Sequence, residues 1–204
     1  MGIYSRLIFP RLCDWAMRSP SISRLRSGAL SEVDGEILEI GFGTGLNLGH
    51  YPEHVRHLTA VDPGVGMTQI ARRRIERSHI DVDLRVQTAE ELPFEDGRFD
   101  CVVSTWTLCS IREAGRAVSE IGRVLRSGGH YVFLEHGLGE DPGVQQWQHR
   151  LTPLQRRLAD GCRLDVDIAA LVRAGPFREV QVERFVLERT PRVVGSMYRG
   201  LAVK

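Results

Sequence analysis

The sequence lacks the features that would insert a chain into a membrane or mark it for export. No stretch approaches the roughly 18 consecutive apolar residues of a conventional transmembrane helix. The first residues interleave apolar and basic side chains, unlike the uninterrupted apolar run and small-residue cleavage site of a signal peptide. We therefore expect a cytoplasmic protein with no integral membrane span. Weak peripheral contact with an anionic membrane stays open, because arginines accompany these apolar residues.

The sequence has few cysteines and almost no net charge, and each of these facts excludes some classes of function. The four cysteines show no CxxC pairing and no cysteine–histidine spacing typical of a metal site, so we expect free thiols and no metal. The formal net charge of +1 creates no field that would attract nucleic acid, and no nucleic-acid partner is expected. A length of 204 residues suits one domain, spanning 1–204.

Short apolar runs alternate with helical patterns from Glu36 onward, which is typical of βα units on a parallel sheet. Seven strands are predicted, at Ile37–Ile40, Leu58–Asp62, Asp83–Gln87, Phe99–Thr105, His130–Glu135, Glu179–Leu187 and Tyr198–Val203. Helices are predicted at Leu46–His50, Gly66–Ser78, Arg112–Leu125 and Asp165–Arg173. The last two strands have no helix between them and should form an antiparallel hairpin at the sheet edge. The predicted fold is a doubly wound, Rossmann-like α/β sheet of seven strands, mostly parallel.

Two regions fall outside this βα rhythm: an N-terminal helical arm, residues 1–34, and an inserted cap segment, residues 137–162. Both carry apolar residues at helical intervals, namely Tyr4, Ile8, Leu12 and Trp15 in the arm, and Trp147, Leu151, Leu154 and Leu158 in the cap segment. Pro153 predicts a break in the second helix. Amphipathic segments of this kind suit a lid over a ligand site, although ordinary core-covering helices have the same pattern.

A glycine-rich turn follows the first strand. Glycines at 41, 43 and 45 let backbone approach a ligand where a Cβ would clash. Leu46 stands where a dinucleotide fingerprint needs its third glycine, so a nucleotide-dependent oxidoreductase is disfavoured. Asp62 ends the second strand, 21 residues after Gly41. Its carboxylate could accept hydrogen bonds from ribose hydroxyls, and the alternative is a cap for the next helix.

Together with Ala89–Phe94, Phe99–Val103 and Arg123–Gly129, these motifs resemble the class I methyltransferases of the ubiquinone/menaquinone-biosynthesis type, which use S-adenosylmethionine (SAM). The resemblance covers about Glu36 to Glu135 and implies SAM as the cofactor. It implies that the glycine turn contacts the methionine part of SAM and that Asp62 binds the ribose. It also implies that Met67 packs on the adenine and that the Ala89 backbone contacts the polar edge of the adenine. The implied cofactor-binding residues are Glu39, Gly41, Gly43, Gly45, Asp62, Met67, Ala89, Glu90 and Thr105. Thr88 replaces an aspartate common in the family, so either Glu90 takes over its adenine contact or the contact is absent. Met67 fits a core position equally well.

A narrower resemblance covers nearly the whole chain. Cys109-Ser110, Glu135-His136, Asp160-Gly161-Cys162 and Tyr198–Lys204 are similar to mammalian methyltransferase-like proteins that methylate alkyl thiols. This resemblance implies a small-molecule thiol as the methyl acceptor. Those proteins begin with an apolar membrane-anchoring segment, and about 36 residues precede the first predicted strand here without one. Membrane residence is therefore not inferred for this chain from the resemblance.

Methyl transfer from SAM needs an acceptor held in line and, for a thiol, a group that takes one proton. His136 is the first candidate for this catalytic role, because it lies at the carboxyl end of the fifth strand and is mostly neutral near pH 7. Asp160 is the second candidate. His136 could instead bond a backbone group, and Asp160 could cap a helix or lie in a turn. Cys109 and Cys162 are expected to be small buried side chains, since SAM chemistry needs no covalent intermediate.

Four matters stay open from the sequence. The acceptor could be a lipid amine or a quinone, methylated on nitrogen, oxygen or carbon. The chain could bind SAM without catalysing transfer. The pathway and the oligomeric state are not specified.

Overall fold

The computed structural model describes Tyr4 and residues 8–204, so the positions of the predicted arm at 1–3 and 5–7 lie outside the described residues. The helices are α1 (Phe9–Ala16), α2 (Pro20–Leu30), α3 (Val65–Ile75), α4 (Ala114–Val124), α5 (Pro142–Leu158), α6 (Ile168–Arg173) and α7 (Arg192–Gly195). The strands are β1 (Ile37–Ile40), β2 (His57–Val61), β3 (Asp81–Arg85), β4 (Phe99–Thr105), β5 (Leu125–His136), β6 (Glu179–Val186) and β7 (Ser196–Val203). A single 3₁₀ turn, Leu46–Gly49, stands where the first βα helix was predicted.

The strands form one seven-stranded sheet in the order β3-β2-β1-β4-β5-β7-β6. Strands β1 to β5 are parallel, and β7 is antiparallel to both β5 and β6. The predicted fold and its C-terminal hairpin are therefore confirmed, although the four-residue helix α7 lies in a connection predicted to have none. The strand order reverses between β1 and β4, and in open α/β sheets ligands bind outside the carboxyl ends of the strands at such a point.

The beginning of β5 departs from the sequence prediction. The fifth strand was predicted to begin at His130, but β5 begins at Leu125, directly after α4, and includes Ser127-Gly128-Gly129. The register with β4 shifts between Phe99 and Cys101, and this irregularity accommodates the two glycines inside the strand. Lys204 donates from Nζ to the Leu125 carbonyl at 2.6 Å, so the end of the chain holds the start of β5.

Each face of the sheet has its own apolar core. On one face the stripe of α4 that contains Ala117, Ile121 and Val124 packs against β4 and β5, as its periodicity predicted. On the other face α2 and α3 cover Ile37 and neighbouring strand residues. Each large side chain fully buried in this way stabilises the fold by roughly 1.5–3 kcal/mol.

The cap segment folds as one helix, and the break predicted at Pro153 is wrong. Helix α5 continues from Pro142 to Leu158 with Pro153 inside it. Pro153 and His149, whose carbonyl loses its helical donor, both lie on an exposed side of the helix, where water can satisfy that carbonyl. In the described part of the chain, no helix has the length and apolar character that a bilayer crossing needs.

Candidate cofactor and acceptor site

The glycine turn leaves the carboxyl end of β1 in a conformation that favours glycine. Gly41 has a φ of +71°, and a Cβ there would overlap the Thr107 side chain. Its N–H donates to the Val61 carbonyl at 2.9 Å, which ties the turn to β2. The turn therefore presents bare backbone at the carboxyl ends of β1 and β4, where the strand order reverses.

Asp62 connects the glycine turn to the start of α3. Its carboxylate accepts a hydrogen bond from the Gly43 N–H and another from the Gly64 N–H, each at 2.7 Å. The side chain is buried, and burial raises its pKa against these two bonds. A carboxylate has about four lone-pair sites, so two remain for a ligand. Asp62 does not take the alternative role of a helix cap, because Gly64 is the N-cap residue of α3 and that helix has no side-chain cap.

A buried polar network that the sequence did not predict lies next to the turn. Arg26, on α2, donates from one Nη to Asn47 Oδ1 at 2.5 Å and to Thr105 Oγ1 at 3.0 Å. Its guanidinium lies 4.7 Å from the centre of the Trp106 ring. Its Nε is buried without a hydrogen-bond partner among the described residues, and burial lowers the pKa of Arg26 to about 10. A lone arginine on a helix in the arm belongs to no local pattern, so nothing in the sequence distinguishes Arg26 from the other arginines.

Glu39, in β1, belongs to the same network. Its carboxyl group accepts from Asn47 Nδ2 at 2.9 Å and from the Tyr51 hydroxyl at 2.7 Å. The side chain is 1% exposed, and this burial raises its pKa to about 7. Glu39 is therefore poised between a neutral and a charged form near neutral pH, beside the buried charge of Arg26.

Replacing Glu39 by glutamine should remove a pH-dependent loss of stability. Because the folded pKa of about 7 exceeds the ordinary 4.5, the folded state retains a proton that the unfolded chain releases in this interval. The stabilisation that this proton gives the folded state is complete below the ordinary pKa of 4.5. It is lost as the pH rises through the folded pKa of about 7. We expect Glu39→Gln to match the parent at about pH 5 and to unfold with up to about 3 kcal/mol more free energy at about pH 8. Denaturant titrations of both proteins measure the difference, and a difference independent of pH would contradict the prediction.

The remaining residues implied for the cofactor lie at or beside the same edge. Met67 is half-buried in the first turn of α3, beside the Asp62–Gly64 turn. Ala89 is buried after β3. The Glu90 carboxylate accepts from the Glu113 N–H at 3.5 Å, so it is directed at the start of α4. Thr105 is buried in the network of Arg26 and Asn47.

Glu135 holds the loop that follows β4. Its fully buried carboxyl group accepts from Ser104 Oγ at 2.6 Å and from the backbone N–H groups of Thr107 at 2.7 Å and Leu108 at 3.2 Å. Trp106, at the start of this loop, has a φ of +53°. The carboxyl group thus fixes a strained loop between the cofactor edge and β5.

His136 meets two cysteines at the carboxyl end of β5. Its Nε2 lies 3.0 Å from Cys162 Sγ, and the Cys109 sulfur is near, so that all three atoms lie within 4.8 Å of one another. Cys109 and His136 are buried, and Cys162 is partly buried. The Arg163 N–H donates to the Cys109 carbonyl at 3.0 Å, which joins the segment after α5 to the loop after β4.

Asp160 lies in the turn that ends α5, with a φ of +47°. It is exposed, and its charge adds to the effect of burial in raising the pKa of Asp62. The helix cap suggested as an alternative role belongs to Asp167, which accepts from the Ala170 N–H at 3.0 Å at the start of α6.

Comparison with known proteins identifies both a family and relatives with different acceptors. A family model described as a methyltransferase domain matches residues 38–133. The human thiol S-methyltransferase TMT1A is 32% identical over 87% of this chain and 72% of its own length. Phosphatidylethanolamine N-methyltransferase of Cereibacter sphaeroides is 31% identical over 90% of this chain and 86% of its own length. The crystal structure of the YcgJ protein of Bacillus subtilis matches with a TM-score of 0.73 at 18% identity, over 90% of this chain and 97% of that one.

Proposed function

The chain belongs to the class I SAM-dependent methyltransferases, and from this premise we propose that it methylates the sulfur of a small-molecule thiol. It is an enzyme that uses S-adenosylmethionine as its methyl donor. The observation that carries the proposal is the cluster of Cys109, His136 and Cys162 at the carboxyl end of β5. Two sulfur atoms and an imidazole offer a thiol weakly polar neighbours. They offer no carboxylate, which a protonated amine would favour.

The cofactor residues have complementary roles in this proposal. The backbone of Gly41, Gly43 and Gly45 approaches the methionine part of SAM, and the free lone pairs of Asp62 accept from the ribose hydroxyls. Arg26 is added to the residues expected from the sequence. Its unpaired, buried Nε suits the carboxylate of the methionine part, because a buried donor without an acceptor costs about 1–3 kcal/mol. Met67 and Ala89 would then flank the adenine.

The reaction requires alignment and the removal of one proton. A lone pair on the acceptor sulfur attacks the methyl carbon, the bond from carbon to the sulfonium breaks, and its electron pair stays on the departing sulfur. The thiol must lose its proton, because the thiolate is the nucleophile. His136 and Asp160 both stay candidates for the group that receives this proton. His136 lies inside the cluster, and Asp160 lies in the turn that ends α5, two residues before Cys162.

The arm and the cap segment would cover this site as a lid. Helix α1 reaches the glycine turn, because Asp14 accepts from Thr44 Oγ1 at 2.6 Å. The arm also contacts the end of α5, where the Tyr4 hydroxyl donates to the Leu158 carbonyl at 2.6 Å. These contacts join the two segments over the carboxyl edge of the sheet, so a bound acceptor would be shielded from water.

A lipid amine is the second candidate acceptor. The similarity to phosphatidylethanolamine N-methyltransferase extends over most of both chains. Helices α1 and α5 also expose large apolar side chains, among them Trp15, which is 79% exposed. Exposed arginines accompany them, at positions 11, 18, 150, 156 and 157. Such a surface suits contact with an anionic membrane, which a lipid acceptor would require and a small thiol would not.

A matched panel of acceptors tests the proposal. Benzyl thiol, benzylamine and benzyl alcohol share one scaffold and differ in the accepting atom, while phosphatidylethanolamine vesicles and a quinol represent the alternatives. We expect radiolabelled methyl groups to appear on the thiol, and this transfer to be inhibited by S-adenosylhomocysteine. Reactions without enzyme control for direct chemical methylation. Methylation of phosphatidylethanolamine or the quinol with no transfer to any thiol would overturn the thiol assignment.

A further inference from the structure

We propose that Cys109, His136 and Cys162 bind a Zn²⁺ ion through three protein ligands and leave one position open. One part of this inference rests on the proposed function: that an acceptor thiolate occupies the open position. The site itself is inferred from the arrangement of the three side chains.

The three donor atoms lie close to the spacing that a metal requires. Tetrahedral zinc, with Zn–S near 2.3 Å and Zn–N near 2.0–2.1 Å, holds its ligand atoms about 3.6–3.8 Å apart. The observed atoms lie within 4.8 Å of one another, and His136 Nε2 is 3.0 Å from Cys162 Sγ. Shifts of up to about 1 Å would bring all three atoms to this spacing.

The backbone around the donors is held from three directions. Cys109 follows β4 in the loop fixed by the Glu135 carboxyl group, and His136 ends β5, an interior strand of the sheet. Cys162 follows α5, and the bond from the Arg163 N–H to the Cys109 carbonyl keeps its segment beside that loop. Sites carried by a rigid sheet and tied loops lose little order when a metal binds.

The donor set selects the kind of ion. Thiolate and imidazole are soft or borderline ligands that prefer zinc to magnesium or calcium, which favour oxygen. Structural zinc sites have four protein ligands, whereas three protein ligands with one open position are typical of catalytic zinc. Cys162 is partly exposed and follows the end of α5, where the Tyr4 hydroxyl of the arm contacts the Leu158 carbonyl. The open position would therefore face the space between the sheet and the arm.

The ion would change how the acceptor is activated. A thiol that coordinates zinc is deprotonated, and its proton leaves to bulk water. The zinc-held sulfur then forms a bond to the methyl carbon while the carbon–sulfonium bond breaks, and the electron pair remains on S-adenosylhomocysteine. The thioether product is a weaker zinc ligand than a thiolate and can leave. In this arrangement His136 acts as a ligand to the ion.

Metal titration of the reduced, chelator-treated protein tests the site directly. We expect one equivalent of Zn²⁺ to compete with a chromophoric chelator, and Co²⁺ to give the thiolate charge-transfer band and intense visible bands of a tetrahedral site. Cys109→Ser and Cys162→Ser should lower the Zn²⁺ affinity by at least about 100-fold, because even the loss of an outer-shell partner costs 10–100-fold. Cys13→Ser is the matched control, a free thiol outside the cluster, and should bind as the parent does.

A second set of measurements distinguishes metal binding from the proposed role of the metal in activating the thiol. Binding of S-adenosylhomocysteine by the serine variants reports whether they fold, so a lost metal site is distinguished from a lost structure. Addition of an alkyl thiol should shift the Co²⁺ spectrum of the parent. If no stoichiometric metal binds, or if both serine variants keep full affinity, the site is wrong even where thiols are methylated. If the metal binds but the panel shows no thiol transfer, the site stands and the thiol assignment fails.

Discussion

Replacing Asp62 by alanine should weaken the binding of S-adenosylhomocysteine by about 10- to 100-fold. The carboxylate has two lone-pair sites left after its bonds to Gly43 and Gly64, and hydrogen bonds from ligand hydroxyls to a charged acceptor contribute about 1.5–3 kcal/mol. Alanine also frees the two backbone N–H groups that the carboxylate holds, so the glycine turn loses part of its alignment. Both effects act on the cofactor and not on the acceptor.

Isothermal titration calorimetry of the purified variant measures the loss. Asp83→Ala is the matched control, because Asp83 in β3 is half-exposed and pairs with Arg85, away from the glycine turn. We expect this control to bind as tightly as the parent. Near-parental affinity in a folded Asp62→Ala protein would leave Asp62 with a structural role only and would remove it from the cofactor site.

Replacing Glu135 by leucine should destabilise the fold by about 3–5 kcal/mol. Leucine has a similar volume but no acceptor, so the N–H groups of Thr107 and Leu108 would be buried without partners. Each such group costs about 1–3 kcal/mol, and the Ser104 hydroxyl loses its bond to the carboxyl group. Since this loop carries Cys109, the same change should also disorganise the acceptor side of the site.

Glu135→Gln is the control that isolates the hydrogen bonds. Its amide oxygen can accept from both backbone N–H groups, and its amide nitrogen can donate to Ser104 Oγ, which has Tyr131 as a second partner at 2.7 Å. We expect glutamine to retain most of the stability in denaturant unfolding. Equal stability of the leucine and glutamine variants would show that the loop does not depend on this carboxyl group.

Local patterns in the sequence determined the fold and the cofactor edge. A strand followed by closely spaced glycines, with Asp62 at the end of the next strand, is a short-range arrangement that backbone sterics impose at each residue. Alternating βα segments require parallel strands and crossover helices, so the seven-stranded sheet followed from periodicity. Two predictions from local rules were wrong. Proline was expected to break the helix at Pro153, which lies inside α5, and the fifth strand was expected to begin after the two glycines that lie inside β5. In both places the surrounding structure tolerates a residue that would end an isolated element.

The tertiary structure alone decided which distant side chains meet. Arg26 reaches Thr105 across 79 positions, and His136 reaches Cys162 across 26. Neither pair repeats with a helical or strand period, so no window of sequence contains it. Parallel strands bring their carboxyl ends to one edge, and the loops that leave them there converge whatever their separation along the chain. The site is assembled by that convergence, because the sheet holds its strands at fixed spacing while the loops are free to meet above it.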